Sequence, residues 1–372
     1  MTQPPDVDTV VGKDGAGYRF NDDLLISAQD QENARRLYAK IAYALDHGSL
    51  RDRFCAVDPL ANRAKRQSRR SGIAAVTFVT TALLVASAEP LFAGRHGLTV
   101  AAAVVAGLLG LLGALIGAMG MLYARPKRNW LRNRLRTEQM RFFHYRVLLE
   151  LSDLILTNRR EEFLKRRAEM FEEFAEDVLD RPAVALEAVL EADWSGERLT
   201  PHLPTPPPHS DPEIEKQFFR AYERLRIQRQ LDYAQYKLQT DGRLFSSFPR
   251  QQAFWLELGA GLCIAGTVIV HLMLMVGAAL GDARLIGSWT HVLGVWFAIA
   301  ALALKTLQEG LQPKLEVERY RHYRAAVRAA GERYEAATSL AERLSAATAV
   351  ERASADEMVI FLRSGWESRF VM

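Results

Sequence analysis

The sequence predicts an all-α, polytopic membrane protein with two transmembrane helical hairpins and long cytoplasmic helices packed as bundles. Apolar residues are concentrated in four long blocks, although the chain as a whole is only 49% hydrophobic and 25% charged. The blocks come in pairs separated by very short connections. Lys and Arg are abundant beside the blocks and sparse in the connections. The mean hydropathy of -0.08 is therefore an average of two opposite compositions.

The four apolar blocks are the predicted membrane spans, at residues 73–92, 98–124, 253–280 and 285–304. A helix needs about 20 apolar residues to cross a hydrocarbon core about 30 Å thick, and every block reaches that length. Helices buried in soluble proteins seldom run so far without charge. The two connections, 93–97 and 281–284, are only about five and about four residues long, which forces neighbouring helices to be antiparallel.

The positions of Lys and Arg predict the orientation of the hairpins. Basic residues accumulate on the cytoplasmic side of spans. Each predicted connection contains a single Arg, Arg95 or Arg284. Basic residues flank the first hairpin at Arg63, Lys65, Arg66, Arg69, Arg70, Arg125, Lys127, Arg128, Arg132, Arg134 and Arg136. Both termini are therefore expected to be cytoplasmic. These flanks are expected to bind anionic lipid head groups, each worth about 1 kcal/mol, rather than nucleic acid.

The domain organisation predicted from composition has four parts. Residues 1–21 are expected to be disordered, 22–195 to form a first two-span unit, 196–212 a proline-rich linker, and 213–372 a second two-span unit. Each unit shows the same order: a leading amphipathic helix, a basic stretch, a hairpin, a long charged helix and a short final helix. We interpret this order as an internal repeat of about 180 residues, against the alternative of chance similarity between amphipathic segments.

The leading and trailing helices are predicted from periodicity and capping signals. The first leading helix is expected over residues 30–47, with Gly48 ending it. The second is expected to open at Asp211 and Pro212. The trailing helices are expected over 127–157, breaking near Asn158 and continuing to 178, and over 311–346. Their apolar faces predict packing as coiled-coil-like bundles.

The final helices are predicted to end in Trp. In the first, opened by Asp180 and Pro182, Leu190 precedes Trp194 by four residues. In the second, Leu362 precedes Trp366 by four. The second is expected to open with a capping box formed by Ser354 and Glu357.

The sequence contains none of the common catalytic or cofactor-binding motifs. The cysteines Cys55 and Cys263 are too few and too far apart for a disulfide framework or a metal motif. We therefore expect no enzyme activity, no cofactor and no metal site.

Several residues within the spans are candidates for packing or transport. Gly113 with Gly117, and Gly277 with Gly281, have the spacing that allows close helix–helix approach, within a hairpin or between subunits. His271 lies mid-span and is interpreted either as a pore-lining or pH-sensing group or, preferably, as a neutral His bonded to a neighbouring helix. Glu257 is interpreted as reaching to the interface or pairing with Arg250, in preference to the alternative of a role in a pore.

Two polar segments resemble a known group of membrane proteins. The segment after the second span runs Asn129-Trp130-Leu-Arg-Asn-Arg134-Leu-Arg-Thr-Glu138, and the one before the third runs Arg226-Ile-Gln228-Arg-Gln-Leu-Asp-Tyr233-Ala-Gln-Tyr236-Lys237. They are similar to the helices flanking the hairpin of SLATT-type domains, two-transmembrane modules associated with SMODS and SLOG conflict systems. The endings at Trp194 and Trp366 are also similar. The first copy lacks a clear Gln-Tyr-Lys helix and the second lacks the Asn-Trp motif.

The resemblance implies a tandem SLATT-like, homo-oligomeric effector of bacterial antiviral defence. Such a protein would lie in the inner membrane and permeabilise it when a cytoplasmic sensor or nucleotide-signalling partner is activated. Two other functions are compatible with the sequence. One is a non-catalytic, membrane-anchored scaffold or sensor, and the other is a small channel or transporter subunit.

Overall fold

The computed structural model describes residues 9–11, 17–19, 21–123, 125–191, 199–240, 248–282 and 287–370. Nearly all of this part of the chain is helical. The α-helices, numbered in chain order, are α1 (Ala28–Leu37), α2 (Ala42–Leu45), α3 (Gly48–Ser87), α4 (His96–Tyr123), α5 (Arg125–Glu150), α6 (Ser152–Leu156), α7 (Arg160–Phe174), α8 (Pro182–Leu190), α9 (Pro212–Tyr222), α10 (Arg229–Lys237), α11 (Pro249–Leu280), α12 (Ser288–Leu311), α13 (Pro313–Ala336) and α14 (Leu340–Glu367).

The segment expected to be disordered contains a short antiparallel hairpin. Strand β1 (Thr9–Val11) pairs with β2 (Gly17–Arg19), with Val10 opposite Tyr18. Asn21 is also held, because its Oδ1 accepts a hydrogen bond from Arg141 at 2.9 Å. β-branched and aromatic residues favour strands, which is why this polar segment still pairs locally.

The chain folds into two compact units that do not coincide with the two halves of the sequence. The polar unit consists of Met1–Asn62, Asn129–Gln239 and Val317–Trp366, and the apolar unit of Arg63–Arg128, Thr240–Glu316 and Glu367–Met372. Each unit therefore draws on both sides of the proline-rich segment. The internal repeat remains a prediction from the sequence.

Among the described residues, the apolar unit contains four helices that are long and apolar enough to cross a membrane. They are the later part of α3, then α4, α11 and α12. The first ends earlier than expected. Helix α3 stops at Ser87, and Glu89–Phe92 forms a separate 3₁₀ turn. Pro90 stands at the start of this turn, because proline lacks the N–H that a continuing α-helix would need.

The second hairpin, α11 and α12, packs in antiparallel register through glycines. Gly259 lies against Leu304, Gly266 against the ring of Phe297, and Gly294 against Val270. A Cβ placed at Gly266 would lie 3.0 Å from the Phe297 ring. These contacts fix the hairpin by close approach of the two backbones.

The leading and trailing helices in the first half of the sequence agree only in part with the sequence prediction. The leading helix over 30–47 is wrong as a single helix, because the chain turns between α1 and α2, where Tyr38 and Ile41 are buried. Gly48 begins α3 and ends no helix. By contrast, the break near Asn158 is confirmed, and Asn158 has a left-handed φ of 58°.

The boundary between the last two helices, α13 and α14, also differs from the sequence prediction. The helix predicted over 311–346 breaks after Ala336, and α14 opens at a capping arrangement in which Ser339 and Glu342 satisfy each other's backbone N–H groups. The predicted capping box at Ser354 is wrong. Ser354 lies inside α14, and its hydroxyl donates to the Val350 carbonyl at 2.9 Å. The residues between Leu340 and Ser354 are mostly helix formers and include neither Gly nor Pro, so nothing interrupts α14 there.

Asp211 caps α9 as predicted. Its Oδ1 accepts from the Glu213 N–H at 2.8 Å and the Ile214 N–H at 3.2 Å.

The described part of the proline-rich segment is hydrogen-bonded to the first half of the chain. The His202 N–H donates to Glu150 at 2.9 Å, and the Asp211 N–H donates to the Leu156 carbonyl at 3.1 Å. The segment is thus held at both ends of its described part.

Candidate functional site

The centre of the polar unit is a fully buried ion pair between Arg226 and Glu351. The Arg226 side chain donates from Nε to Oε1 at 2.8 Å and from Nη2 to Oε2 at 2.6 Å, and both side chains are 1% exposed. Arg226 lies in a π-helical turn between α9 and α10, and Glu351 lies on α14. The planar guanidinium matches a carboxylate in this two-bond geometry, which makes the pair directional.

Aromatic hydroxyls and rings complete the surroundings of this pair. The Tyr222 hydroxyl donates to Glu351 Oε1 at 2.7 Å, and the guanidinium of Arg226 lies 4.6 Å from the ring centroid of Tyr145. The Tyr145 hydroxyl in turn donates to the backbone carbonyls of Asp23 and Leu225. Burial raises the pKa of Tyr145 and of Tyr222 well above the usual value, so both phenols stay protonated donors.

A second cluster of buried charges lies on α5. Arg141 donates to Asp23 at 2.7 Å and to Glu138 at 2.8 Å, and Arg134 pairs with the other oxygen of Glu138 at 2.5 Å. Burial alone would raise the pKa of Glu138, but the two arginines lower it to about 2. Glu138 is therefore a permanent carboxylate at any physiological pH.

The network joins the two halves of the sequence inside one unit. Arg229, from the second half, pairs with Asp22 of the first at 2.9 Å. Tyr145 of the first half binds the backbone of the second at Leu225. Charged residues in helices that are far apart in sequence thus specify one arrangement of the polar unit.

The two polar segments on which the predicted family resemblance depends both lie in this unit. Burial lowers the pKa of Arg134, but the charge of Glu138 more than offsets this and raises it. The guanidinium of Arg226, at the start of one segment, lies 5.7 Å from the ring centroid of Phe142, four residues after the other. The Tyr233 hydroxyl lies 3.3 Å from that of Tyr320. Lys237 lies over the ring of Tyr233, 5.3 Å from its centroid.

The remaining motif residues have separate roles. The ring of Trp130 packs edge to face on Phe361 at 5.7 Å. Gln228 donates to Asp232 at 2.9 Å within its own helix. Trp366 is 39% exposed near the end of α14. Trp194 lies outside the described residues.

The paired glycines of the sequence prediction separate into different roles. A Cβ at Gly113 would lie 2.6 Å from Val79 Cγ2 and 3.0 Å from the Val79 backbone nitrogen, so Gly113 makes the close contact within the first hairpin. A Cβ at Gly117 would meet nothing within 4 Å. Gly277 is buried, whereas Gly281 ends α11 with a φ of 65° and serves as its C-cap. The four glycines therefore do not form two equivalent packing motifs.

The two ionisable candidates on α11 lie on its surface. His271 Nδ1 is 2.8 Å from the Thr267 carbonyl of its own helix, and its ring borders Gly294 of α12. The side chain is otherwise exposed. Glu257 pairs with Lys314 at 2.6 Å and not with the expected Arg250.

The sequence did not predict a hydrogen-bonded contact between the two hairpins of the apolar unit. The indole N–H of Trp296 on α12 donates to the Leu84 carbonyl at 3.0 Å and to the Ser87 hydroxyl at 3.1 Å. Carbonyls in the last turn of a helix lack a backbone partner within it. The Leu84 carbonyl also accepts from the Ser87 hydroxyl at 3.0 Å, and Trp296 adds a second donor at the end of α3 from the other hairpin. Only the unusual position of a Trp inside a predicted span could have signalled this.

Within the described part of the chain no group of His, Cys, Asp or Glu could hold a metal ion. An open cleft of about 600 Å³ on the polar unit is lined by equal numbers of acids and bases, namely Glu215, Glu223, Glu335, Lys216, Arg220 and Arg343, with Pro212, Phe219 and Tyr334. That lining selects no charge class of ligand. Comparison of the chain with protein-family models, with curated proteins and with solved structures found no match.

Proposed function

We propose that this protein is a membrane effector that oligomerises and perturbs or permeabilises the bilayer, without enzymatic chemistry. The apolar unit supplies the membrane part and the polar unit regulates it. Both ends of the described chain lie on the cytoplasmic side of a bacterial inner membrane, and the basic flanks bind anionic lipid head groups. A cytoplasmic sensor or nucleotide-signalling protein is the proposed activator.

The observation that carries the proposal is the exposed imidazole of His271 within the apolar second half of α11. Its neighbours on the exposed surface of α11 include Val268, Leu272 and Met275. A polar ring facing lipid at this depth is costly, so polar groups there usually face another helix or water. A second copy of the chain, or a water path between copies, would cover this side chain.

The open glycine on α4 supports the same proposal. Gly113 is used within the hairpin, but Gly117, one turn further along the helix, faces open space. Small residues on an outer helix face permit close packing between subunits. The outer face of α4 therefore provides the second surface that a homo-oligomer needs.

The test is membrane leak on controlled expression. We expect potassium or dye leak when wild-type protein is activated, and a reduced leak for His271→Leu. His291→Leu is the matched control, because His291 is also exposed but lies in the first turn of α12. Tight membranes in every activated state would remove the proposal.

A membrane-anchored scaffold is the second candidate, and the fully buried network of the polar unit favours it. A unit held by so many specific ion pairs is suited to present a fixed surface. Under this alternative, unrelated membrane anchors in place of both hairpins preserve activity, whereas the effector proposal requires that they abolish it.

A further inference from the structure

The segment after α14 places an aromatic ring between two helices of the apolar unit. Phe370 lies against Gly72 of α3 along one edge of its ring and against Gly310 of α12 along the other. A Cβ at Gly72 would lie 2.6 Å from Phe370 Cε2, and a Cβ at Gly310 would lie 2.6 Å from Phe370 Cγ. Neither position can hold a side chain while the ring is in place.

The backbone of the same segment is also bound. Lys127, near the start of α5, donates from Nζ to the Ser368 carbonyl at 2.5 Å. Burial, followed by the neighbouring Arg369, lowers the pKa of Lys127 to about 8, so the amine stays mostly protonated at neutral pH. Lys127 therefore holds the backbone at Ser368, and α3 and α12 hold the ring of Phe370 two residues later.

The Phe370 ring fills a slot between Gly72 and Gly310, and an ion pair borders this slot. Arg69 on α3 pairs with Glu316 on α13 at 3.1 Å, and both side chains are largely buried. Gly72 follows Arg69 by three residues, close to one helical turn. The slot thus lies where α3 approaches the end of α12, beside the basic residues that flank the apolar blocks.

We infer that Phe370 is a removable latch that holds the middle of α3 and the end of α12 together beside the predicted cytoplasmic face. The ring is half-buried and follows directly after α14, so it can leave the slot without unfolding a helix. When the ring leaves, Gly72 and Gly310 lose their contact with it, and the two hairpins can rearrange. The regulatory part of this inference rests on the proposed function.

The first measurement is docking of the segment. In a chain carrying Cys55→Ser and Cys263→Ser, the added substitution Ser368→Cys reports the accessibility of the segment to a water-soluble thiol reagent. We expect Phe370→Ala or Gly72→Ala to raise the labelling rate about tenfold, because burial of an aromatic ring is lost. Gly97→Ala is the control, because a Cβ there meets nothing within 4 Å. Equal rates in all variants would overturn the inference.

The second measurement is the spacing of the two helices. Spin labels are attached at Arg70→Cys and Glu309→Cys, both exposed positions close to the slot. We expect one narrow distance distribution in the parent and a broader one in Phe370→Ala, Gly72→Ala and Gly310→Ala. A distribution unchanged by all three would show that the ring holds nothing together.

Membrane leak separates this inference from the proposed function. Greater resting leak in Phe370→Ala than in the parent supports both. Broadened spacing with tight membranes in every state supports the latch and contradicts the effector function. Leak in the activated parent together with unchanged spacing in Phe370→Ala supports the effector function and overturns the latch.

Discussion

The pairing of Arg226 with Glu351 is the residue-level feature with the clearest energetic consequence. Removing one partner leaves the other as an unpaired charge at 1% exposure. We expect Glu351→Leu or Arg226→Met to lower the free energy of unfolding of the polar unit by about 3–5 kcal/mol. Chemical unfolding of detergent-solubilised protein, followed by tyrosine and tryptophan fluorescence, measures the change.

The double variant Arg226→Met with Glu351→Leu separates the cost of an orphaned charge from the value of the pair. We expect it to be more stable than either single variant, because no unpaired charge remains. The exposed pair of Arg166 and Glu169 is the control, where Glu169→Leu should change stability by less than about 1 kcal/mol. Additive losses in the double variant would contradict this account.

Acid sensitivity is expected from buried His47, which lies against the ring of Phe171 at 4.8 Å. Burial, followed by the charge of Arg167, lowers its pKa from 6.5 to about 3. The unfolded chain therefore binds more protons between these values, and stability falls as pH drops from about 6.5 toward 3. The slope contributed by this one group approaches about 1.4 kcal/mol per pH unit.

We expect His47→Gln to flatten this dependence, measured as the free energy of unfolding at several pH values between 7 and 4. Buried His144 has its pKa lowered in the same direction, so part of the slope remains. His322→Gln, at an exposed position, is the control and should leave the slope unchanged. An unchanged or steeper slope in His47→Gln would show that the wrong group had been identified.

At the scale of elements, the contact between α3 and α4 distinguishes two glycines that the sequence presents as a pair. Gly113→Ala should separate the helices, because its Cβ would meet the Val79 backbone as well as its side chain. We expect a loss of about 1–3 kcal/mol in hairpin stability, the usual cost of overpacking. Gly117→Ala should leave the hairpin intact and weaken only self-association. Unfolding in mixed micelles and cross-linking measure the two effects separately.

The elements also show what the sequence can predict and what it cannot. Long apolar blocks define α4, α11 and α12 because length and composition are local properties. The boundary between α13 and α14 was missed because Ser339 and Ser354 both carry the same capping signal, and only the surrounding fold decides which one is used. The Trp296 contact with α3 is invisible in the sequence, since it joins residues more than two hundred positions apart.

At the scale of the whole molecule, the division into units depends on pairs that no periodicity specifies. The sequence predicts two successive units, yet the polar unit combines helices from both halves. Arg226 and Glu351 lie on different helices 125 residues apart, and each alone resembles an ordinary charge on an amphipathic helix. Complementarity between such residues becomes visible only once the helices are assembled.

Membrane topology is the whole-molecule prediction on which the proposed function depends. Single cysteines are introduced as Arg95→Cys in the first connection and as Arg352→Cys on α14, in a chain carrying Cys55→Ser and Cys263→Ser. Because the basic flanks are expected to remain inside, a membrane-impermeant thiol reagent added to intact cells should label position 95 and not position 352. Permeabilised cells should label both, which shows that each site is reactive. Labelling of position 352 in intact cells would show that the orientation is the reverse of the predicted one. Protection of position 95 in intact cells, together with solubility of the protein without detergent, would exclude membrane insertion of the apolar unit.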